Sequence, residues 1–176
     1  MEKRLTGFWN IGVKTMITHT ITYFVIGILA FTLFNYSAML ADPNYSGFMR
    51  QASDPLVRAG VLFQPIRGFL FGIVFYLLRS VFFQEKRGWL ILWTTLVIVG
   101  IVSPFSTAPG SIEGFIYTKS SGLSPGLLEI LVQSLLLSVV TFYWVRHSQK
   151  WLNWILGFIF FITLSLPALG LLVSRQ

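Results

Sequence analysis

The sequence contains no cysteine, and this absence excludes disulfide bonds, thiol chemistry and metal sites built from thiolates. It also lacks the motifs of zinc proteases, serine hydrolases and phosphate-binding loops, and it has no clustered pair of carboxylates. Recognisable catalytic sites are built on such groups. We therefore expect a protein that is not an enzyme and that carries no cofactor or metal.

Histidine is scarce as well, with two residues, His19 and His147. His19 lies in TMITHTITYF within the first apolar run, whereas His147 follows the fourth, and both are expected near the same membrane face. Ligation of a haem by this pair is an alternative, because imidazole is a common haem ligand. Isolated histidines in membrane proteins are more often hydrogen-bonded or interfacial, so we expect no haem.

Charged residues make up 11% of the chain, against 55% apolar and 16% aromatic residues, and the mean hydropathy is +0.73. A soluble domain of 176 residues is far less apolar, so the bilayer is the expected solvent. Five apolar runs approach the length of about 20 residues that a transmembrane helix needs: 16–40, 59–83, 88–105, 126–146 and 151–173. Because the runs are continuous rather than alternating, they predict an all-α, polytopic bundle in one integral membrane domain over 1–176, not a β-barrel.

The basic residues predict the orientation of the bundle. The larger group falls at the N-terminus and at the turns after the second and fourth runs: Lys3, Arg4, Lys14, Arg79, Lys86, Arg87, Arg146 and Lys150. The smaller group on the other side is Arg50, Arg58, Lys119 and Arg175. By the positive-inside rule the larger group is cytoplasmic, so the N-terminus is inside and the C-terminus outside. Topology and attraction to anionic lipids then explain the net charge of +7, and no nucleic-acid partner is expected.

The N-terminal stretch MEKRLTGFWNIGVK has two interpretations. Its apolar residues recur at helical spacing opposite polar ones, which predicts an amphipathic interfacial helix over residues 1–15 on the inner leaflet. The alternative is a frayed basic tail. A cleavable signal peptide is not expected, because no short apolar core ends in a small-residue cleavage site.

The two predicted outer connections, 41–60 and 103–125, are long and rich in glycine, proline and serine. Long connections in compact proteins are usually functional or disordered. The apolar residues 115–117 would be poorly placed in water, so we expect these loops to fold into a cap. Residues 105–125 in particular are expected to touch the second run near 64–68, and the alternative is a solvated, mobile loop.

The stretch LFQPIRGFLFG places Arg67 about eight residues inside the second run, which is about 12 Å of helix. A charge at that depth costs about 3 kcal/mol on insertion scales, and it is tolerated when it faces the bundle interior, a wet cavity or a counter-ion. We therefore expect Arg67 to be buried in protein and paired, with Glu113 or Glu129 as the partner. Pro65 leaves a carbonyl one turn earlier without its usual donor, so the first turns of this helix should be distorted.

The candidate site consists of Arg67, Gln64, Glu113 and Glu129, and two interpretations stay open. One is a structural latch, in which the ion pair holds the outer cap on the bundle. The other is a ligand site, in which Arg67, Gln64 and nearby backbone amides receive an anionic or zwitterionic group. Glu129 also heads a file of polar residues on the fourth run: Gln133, Ser134, Ser138 and Thr141.

Gly68 and Gly72 form a GxxxG pattern on the second run. Such a pattern allows another helix to approach closely. We expect the packing partner to lie within the chain, although a helix of another subunit is the alternative.

The runs LFQPIRGFLFGIVFYLLR and RGWLILW, followed by APGSIEGFIYT, resemble a group of small bacterial multi-pass membrane proteins with about five helices. The resemblance covers most of the chain from about residue 16. It implies a bacterial cytoplasmic membrane, and no activity is attached to the group.

Two function classes follow from the sequence. Small size, an odd number of spans and absent catalytic motifs favour an accessory or structural subunit of a larger membrane complex. The alternative is a small homodimeric binder or carrier, with an outward-facing Arg67 site for an anionic or zwitterionic solute or a lipid headgroup. The expected partners are membrane lipids together with other membrane subunits or a second copy of the chain.

Overall fold

A computed structural model of the protein describes residues 7–43, 49–108, 110–117 and 125–173. In these ranges the regular structure is helical and contains no strand. The helices are α1 Phe8–Leu33, α2 Tyr36–Ala41, α3 Pro55–Arg58, α4 Gln64–Leu77, α5 Gly88–Val97, α6 Ile112–Tyr117, α7 Pro125–Arg146 and α8 Lys150–Val173. A 3₁₀ turn, Gly60–Phe63, precedes α4, and wide π turns follow α4 at Ser80–Gln84 and α5 at Ile98–Val102.

Four helical segments are long and apolar enough to cross a membrane: Phe8–Leu33, Gly60–Leu77, Gly126–Arg146 and Lys150–Val173. The predicted all-α, membrane-integrated character is therefore confirmed. The fifth predicted span, 88–105, corresponds to the shorter apolar helix Gly88–Val102. That helix measures about 22 Å, less than the apolar thickness of about 30 Å, so a fifth crossing stays a prediction, as does the orientation.

The N-terminal segment differs from its prediction. Within the described residues, α1 begins at Phe8 and runs without a break to Leu33, so residues 8–15 do not form a separate interfacial helix. The reason is packing. Gly12 is buried against Phe69 of α4, and Lys14 is buried beside α7, so both residues belong to the bundle. Residues 1–6 of the predicted interfacial helix lie outside the described part.

Helix α1 is the centre of the bundle, and α4, α7 and α8 pack around it. Gly68 and Gly72 make the closest approach: a Cβ added to Gly72 would lie 2.7 Å from the Cα of Gly12, and one added to Gly68 would lie 2.8 Å from the Cα of Met16. The GxxxG pattern thus packs against a helix of the same chain. As the chain number rises along α1 it falls along α4, so the two helices are antiparallel.

The buried apolar core lies at the end of α1 that begins at Phe8. It joins α1, α4, α5, α7 and the π turn after α4 through Ile11, Phe75, Phe82, Phe83, Leu92, Leu137 and Val145. In the middle of α1 the buried residues are polar: Lys14, Thr15, Thr18, His19, Thr20 and Thr22. The candidate site includes His19 from this stretch.

The start of α4 is distorted as Pro65 predicts. The backbone N–H of Gln64 bonds to the carbonyl of Val61, three residues back, in a 3₁₀ turn. Helical turns begin earlier than expected, at Pro55. Asp54 is the N-cap there, and its carboxylate accepts a hydrogen bond from the Leu56 amide. In the apolar span Gly60–Leu77, Arg67 is the eighth residue, close to the position that the sequence indicated.

The described part of the long loop 103–125 does not match the predicted cap. Phe115, expected to be an anchor, is 74% exposed, and its neighbours Ile116 and Tyr117 are exposed as well. The loop instead packs through Gly110, whose positive φ of 85° brings its backbone against Leu127 at the start of α7. Residues 118–124, also assigned to the cap, lie outside the described part.

Candidate functional site

A row of polar side chains follows one face of α1 in the middle of the bundle. His19, Tyr23 and Gly27 are spaced four residues apart, so they lie on the same face, one turn above another. Polar groups from α2, α4 and α7 meet this face. We call the set the polar stripe; it consists of His19, Tyr23, Tyr36, Gln64, Arg67 and Glu129.

Gln64 connects α1 with the distorted start of α4 through two hydrogen bonds. Its amide nitrogen donates to the carbonyl of Gly60 at 3.0 Å, and its oxygen accepts from His19 Nε2 at 3.1 Å. Since the amide orientation makes the oxygen an acceptor, His19 carries its proton on Nε2. His19 is 2% exposed, and its Nδ1 has no hydrogen-bond partner among the described residues. A buried imidazole lone pair is thus left for another donor.

Arg67 lies beside this pair and is exposed. Its guanidinium carbon lies 5.7 Å from the centroid of the Phe71 ring, and Phe71 in turn contacts His19 edge-on at 5.1 Å between centroids. Neighbouring Gly68 packs between Met16 and His19, so Arg67 lies level with the middle of α1.

The predicted ion pair of Arg67 is not formed in the described part of the chain. No carboxylate or carbonyl there bonds to the guanidinium, and the side chain is not buried in protein, so the expectation of a buried pair with Glu113 or Glu129 is wrong for these residues. Glu113 is exposed on the short helix α6, and Glu129 bonds elsewhere. Side-chain direction, rather than sequence spacing, decides this outcome.

Glu129 is half-buried on α7 and accepts a hydrogen bond of 2.6 Å from the Tyr36 hydroxyl. Its other oxygen lies 3.8 Å from the position of a Cβ added to Gly27, so the carboxylate packs against the backbone of α1. Asn35, with a φ of 48°, makes the left-handed turn that carries Tyr36 back over the bundle. Burial, and then the hydrogen bond to Glu129, raises the pKa of Tyr36 well above its usual range.

Tyr23 lies on α1 one turn from His19 and one turn from Gly27. Its hydroxyl oxygen lies 3.9 Å from the position of a Cβ added to Gly60. Along α1, Gly68, the neighbour of Arg67, packs against His19, and Glu129 packs against Gly27, so Tyr23 lies between these two levels of the helix. Such a site can receive an anion at one end and a cation at the other.

The polar file of α7 is largely buried. Ser134, Ser138 and Thr141 are buried and Gln133 is half-buried. The hydroxyls of Ser134 and Ser138 donate to backbone carbonyls of α7 itself. No hydrogen bond among the described residues connects these side chains to the polar stripe.

Lys14 is a buried cation that the sequence assigned to the cytoplasmic surface. It is 5% exposed, and its ammonium donates to the carbonyl of Trp144 at 2.8 Å and to the Ser148 hydroxyl at 2.9 Å. It also lies 5.4 Å from the centroid of the Trp144 ring. Because the last carbonyls of a helix carry partial negative charge, Lys14 is suited to the end of α7.

The two histidines are not brought together. His19 faces α4, whereas the exposed His147 stacks on Tyr143 just beyond the end of α7. In the described ranges, no group of three or more His, Asp or Glu side chains could hold a metal ion.

The sequence singled out Gln64, Arg67 and Glu129 as site candidates, but it did not place His19, Tyr23 and Tyr36 beside them. The available signal was the four-residue spacing of His19, Tyr23 and Gly27 within an apolar helix.

The sequence matches no protein-family model, and it matches neither a curated protein nor a solved structure.

Proposed function

We propose that the chain is a non-enzymatic membrane protein that binds a small anionic or zwitterionic molecule at the polar stripe. The observation that carries this proposal is Arg67. Arg67 is the eighth residue of the span Gly60–Leu77. Its guanidinium has no carboxylate partner among the described residues.

The physical reason is the cost of an uncompensated charge. A guanidinium in the middle of a span is tolerated when water, a protein group or a ligand compensates it. An oxyanion suits a guanidinium because two parallel hydrogen bonds can form. Glu129, on the other side of Tyr23, offers a place for a cationic group, which supports a zwitterion as an alternative to a simple anion.

Binding can be tested with the purified protein in nanodiscs of neutral lipid. Methanesulfonate serves as a small anion, taurine as a zwitterion with the same sulfonate, and phosphatidylglycerol in the nanodisc as a lipid phosphate. Arg67→Gln should weaken binding of the accepted probe about tenfold or more, because a hydrogen bond to a charged group contributes about 1.5–3 kcal/mol.

Arg79→Gln is the matched control, since Arg79 follows the same span but donates to the carbonyl of Tyr76 and lies outside the polar stripe. It should bind the probes like the wild type. Arg67→Lys should also lose affinity if the contact is bidentate. If no probe binds the wild type more tightly than Arg67→Gln, the proposal is wrong.

An accessory role in a larger complex is the second candidate, and the surface of α8 favours it. A notch of about 390 Å³ on this helix is lined by Asn153, Trp154, Gly157, Phe158 and Phe161. A Cβ added to Gly157 would meet no atom within 4 Å, so another helix has room to approach there. In this role the chain would be a subunit in a bacterial cytoplasmic membrane.

Gentle extraction followed by mass determination, with lipids retained, tests the accessory role. A partner subunit or second copy should be present in the wild type and lost from Gly157→Leu. Gly170→Leu is the control, because Gly170 is equally open near the other end of α8. Recovery of a single chain with lipid alone contradicts this second candidate.

A further inference from the structure

We propose that the end of the bundle where α7 ends and α5 begins binds the headgroup of an anionic phospholipid. The cations of this site are Lys86, Arg87 and Arg146, which we call the basic cluster. The site is separate from the polar stripe, and the inference does not depend on the function proposed for Arg67.

One hydrogen bond brings these cations together from two distant parts of the chain. The Arg146 guanidinium donates through Nη1 to the backbone carbonyl of Glu85 at 3.1 Å. Since Lys86 and Arg87 directly follow Glu85, three cations are held at one end of the bundle. All three are exposed, and none of them forms an ion pair in the described part of the chain.

The ring of Phe142 on α7 fixes the position of the basic cluster. The Cζ atom of Arg146 lies 5.1 Å from the centroid of this ring. A Cβ added to Gly88 would lie 3.0 Å from the same ring and would overlap the carbonyl of Phe82, so the turn 85–88 packs closely on α7. The backbone N–H of Gly88 also donates to the Glu85 carbonyl at 3.2 Å. The turn and the arginine are therefore ordered before a ligand binds, which lowers the entropic cost of binding.

The charge and the donors of the basic cluster suit a phosphate. Its three cations and the adjacent carboxylate of Glu85 give a net charge of +2, which is 3 − 1. In the described residues, the Glu85 carbonyl accepts from one of the five N–H donors of Arg146, so four are left for a ligand. Guanidinium and ammonium groups bind phosphate oxygens through charge-assisted hydrogen bonds.

The surface of α7 beside Arg146 favours a lipid over a soluble phosphate. Leu136, Val139 and Tyr143 precede Arg146 by ten, seven and three residues, so they share its face of the helix. All three are exposed and belong to the span Gly126–Arg146. An acyl chain can lie along this apolar face while its phosphate contacts Arg146 at the end of the span. Basic residues at the ends of spans are typical binding sites for anionic headgroups.

Lipid binding can be measured with the full chain in a neutral detergent, by native mass spectrometry at increasing lipid concentration. Phosphatidylglycerol is the anionic probe, phosphatidylcholine has a phosphate whose charge its choline balances, and glycerol phosphate is a soluble phosphate without acyl chains. We expect phosphatidylglycerol to bind at least about fivefold more tightly than the other two. If phosphatidylcholine or glycerol phosphate binds as tightly, the site is not one for an anionic lipid and the proposal is wrong.

Arg146→Gln and Arg87→Gln should each weaken phosphatidylglycerol binding about fivefold, because each removes a cation beside the headgroup. Lys150→Gln is the matched control, since Lys150 is exposed at the start of α8 and forms no hydrogen bond to the turn 85–88 in the described residues. It should bind the lipid like the wild type. Equal losses in Arg146→Gln and Lys150→Gln would show a diffuse attraction to a positive surface, and the basic cluster would then not be a site.

Arg67→Gln separates the basic cluster from the polar stripe, and it should leave the effect of Arg146→Gln on phosphatidylglycerol binding unchanged. If Arg67→Gln abolishes lipid binding and Arg146→Gln does not, the lipid phosphate binds at the polar stripe. That result supports the function proposed for Arg67 and contradicts the basic cluster. If Arg146→Gln loses the lipid and Arg67→Gln does not, the basic cluster stands whatever the result for methanesulfonate.

Discussion

At the scale of single residues, the two cations Lys14 and Arg67 lie within spans but have opposite surroundings. Lys14 is buried and hydrogen-bonded. Its ammonium contacts a carbonyl and an aromatic ring of α7 and a hydroxyl of the following turn. Arg67 is exposed and contacts one ring, that of Phe71. The first arrangement is that of a structural residue, and the second leaves donors for a ligand.

Lys14→Met should destabilise the protein by about 1–3 kcal/mol, because the Trp144 carbonyl and the Ser148 hydroxyl lose a charged donor in a buried place. Lys150→Met is the matched control, since Lys150 is exposed at the start of α8, and it should change stability little. Denaturation in mixed micelles measures both. Equal stability of the two variants would show that Lys14 does not fasten α1 to α7.

Asp54 should titrate below the usual range. The hydrogen bond from Arg50 at 2.9 Å, with help from the Leu56 amide, lowers the pKa of its carboxyl. Because the folded-state pKa is the lower one, its stabilising effect is present above about pH 4 and is lost as pH falls through the folded-state value. Arg50→Gln should raise this pKa and Arg58→Gln should not, as NMR titration of the carboxyl can show.

At the scale of helices, the sequence predicted the helix bounds and the distortion at Pro65, which depend on neighbouring residues. It did not predict the direction in which the side chains of the site point. The bounds of α7 and α8 and the distortion before Pro65 follow from apolar length and from proline geometry, both of which are local. The polar stripe depends on which face of α1 meets α4 and α7. That choice is made by long-range packing, which one sequence does not reveal.

The missed start of α1 has the same origin. Residues 8–15 have the pattern of an interfacial helix, but Gly12 offers a flat surface on which Gly72 packs. An amphipathic pattern does not reveal whether the polar face meets water or a polar contact between helices. Lys14 was assigned to the surface for this reason.

Gly72→Ala tests the close contact of α1 and α4. The added methyl would lie 2.7 Å from the Cα of Gly12, so the helices must separate, and we expect a loss of about 1–3 kcal/mol. Gly100→Ala is the control because nothing lies within 4 Å of the added Cβ, and there alanine should be neutral or slightly stabilising. Thermal unfolding compares them, and an equally stable Gly72→Ala would contradict the packing.

At the scale of the whole molecule, the bundle is asymmetric along its length. The apolar core lies toward the Phe8 end of α1, whereas Glu129 and Tyr36 lie toward the other end. If the N-terminus is cytoplasmic, the well-packed end faces the cell interior and the polar stripe opens outward. The orientation therefore decides from which side a ligand would enter.

The direction of the helices leads us to expect five crossings. Helix α4 is antiparallel to α1, since Gly12 meets Gly72 and His19 meets Gln64. Helix α7 is antiparallel to α1 as well, since Lys14 meets Trp144 and Gly27 meets Glu129. Two successive long helices that run the same way require the chain to return between them, and α5 with its π turn is the apolar segment available for that return.

Reporter fusions after Arg87, Lys119, Lys150 and Gln176 test this topology. With the N-terminus inside and five crossings, they should report inside, outside, inside and outside. The fusion after Lys119 is the decisive one, because it reads outside only if α5 crosses despite a length of about 22 Å. A short span can be accommodated by local thinning of the bilayer at a modest cost. If the fusions after Arg87 and Lys119 report the same side, α5 does not cross, and the parallel directions of α4 and α7 would then be wrong as well.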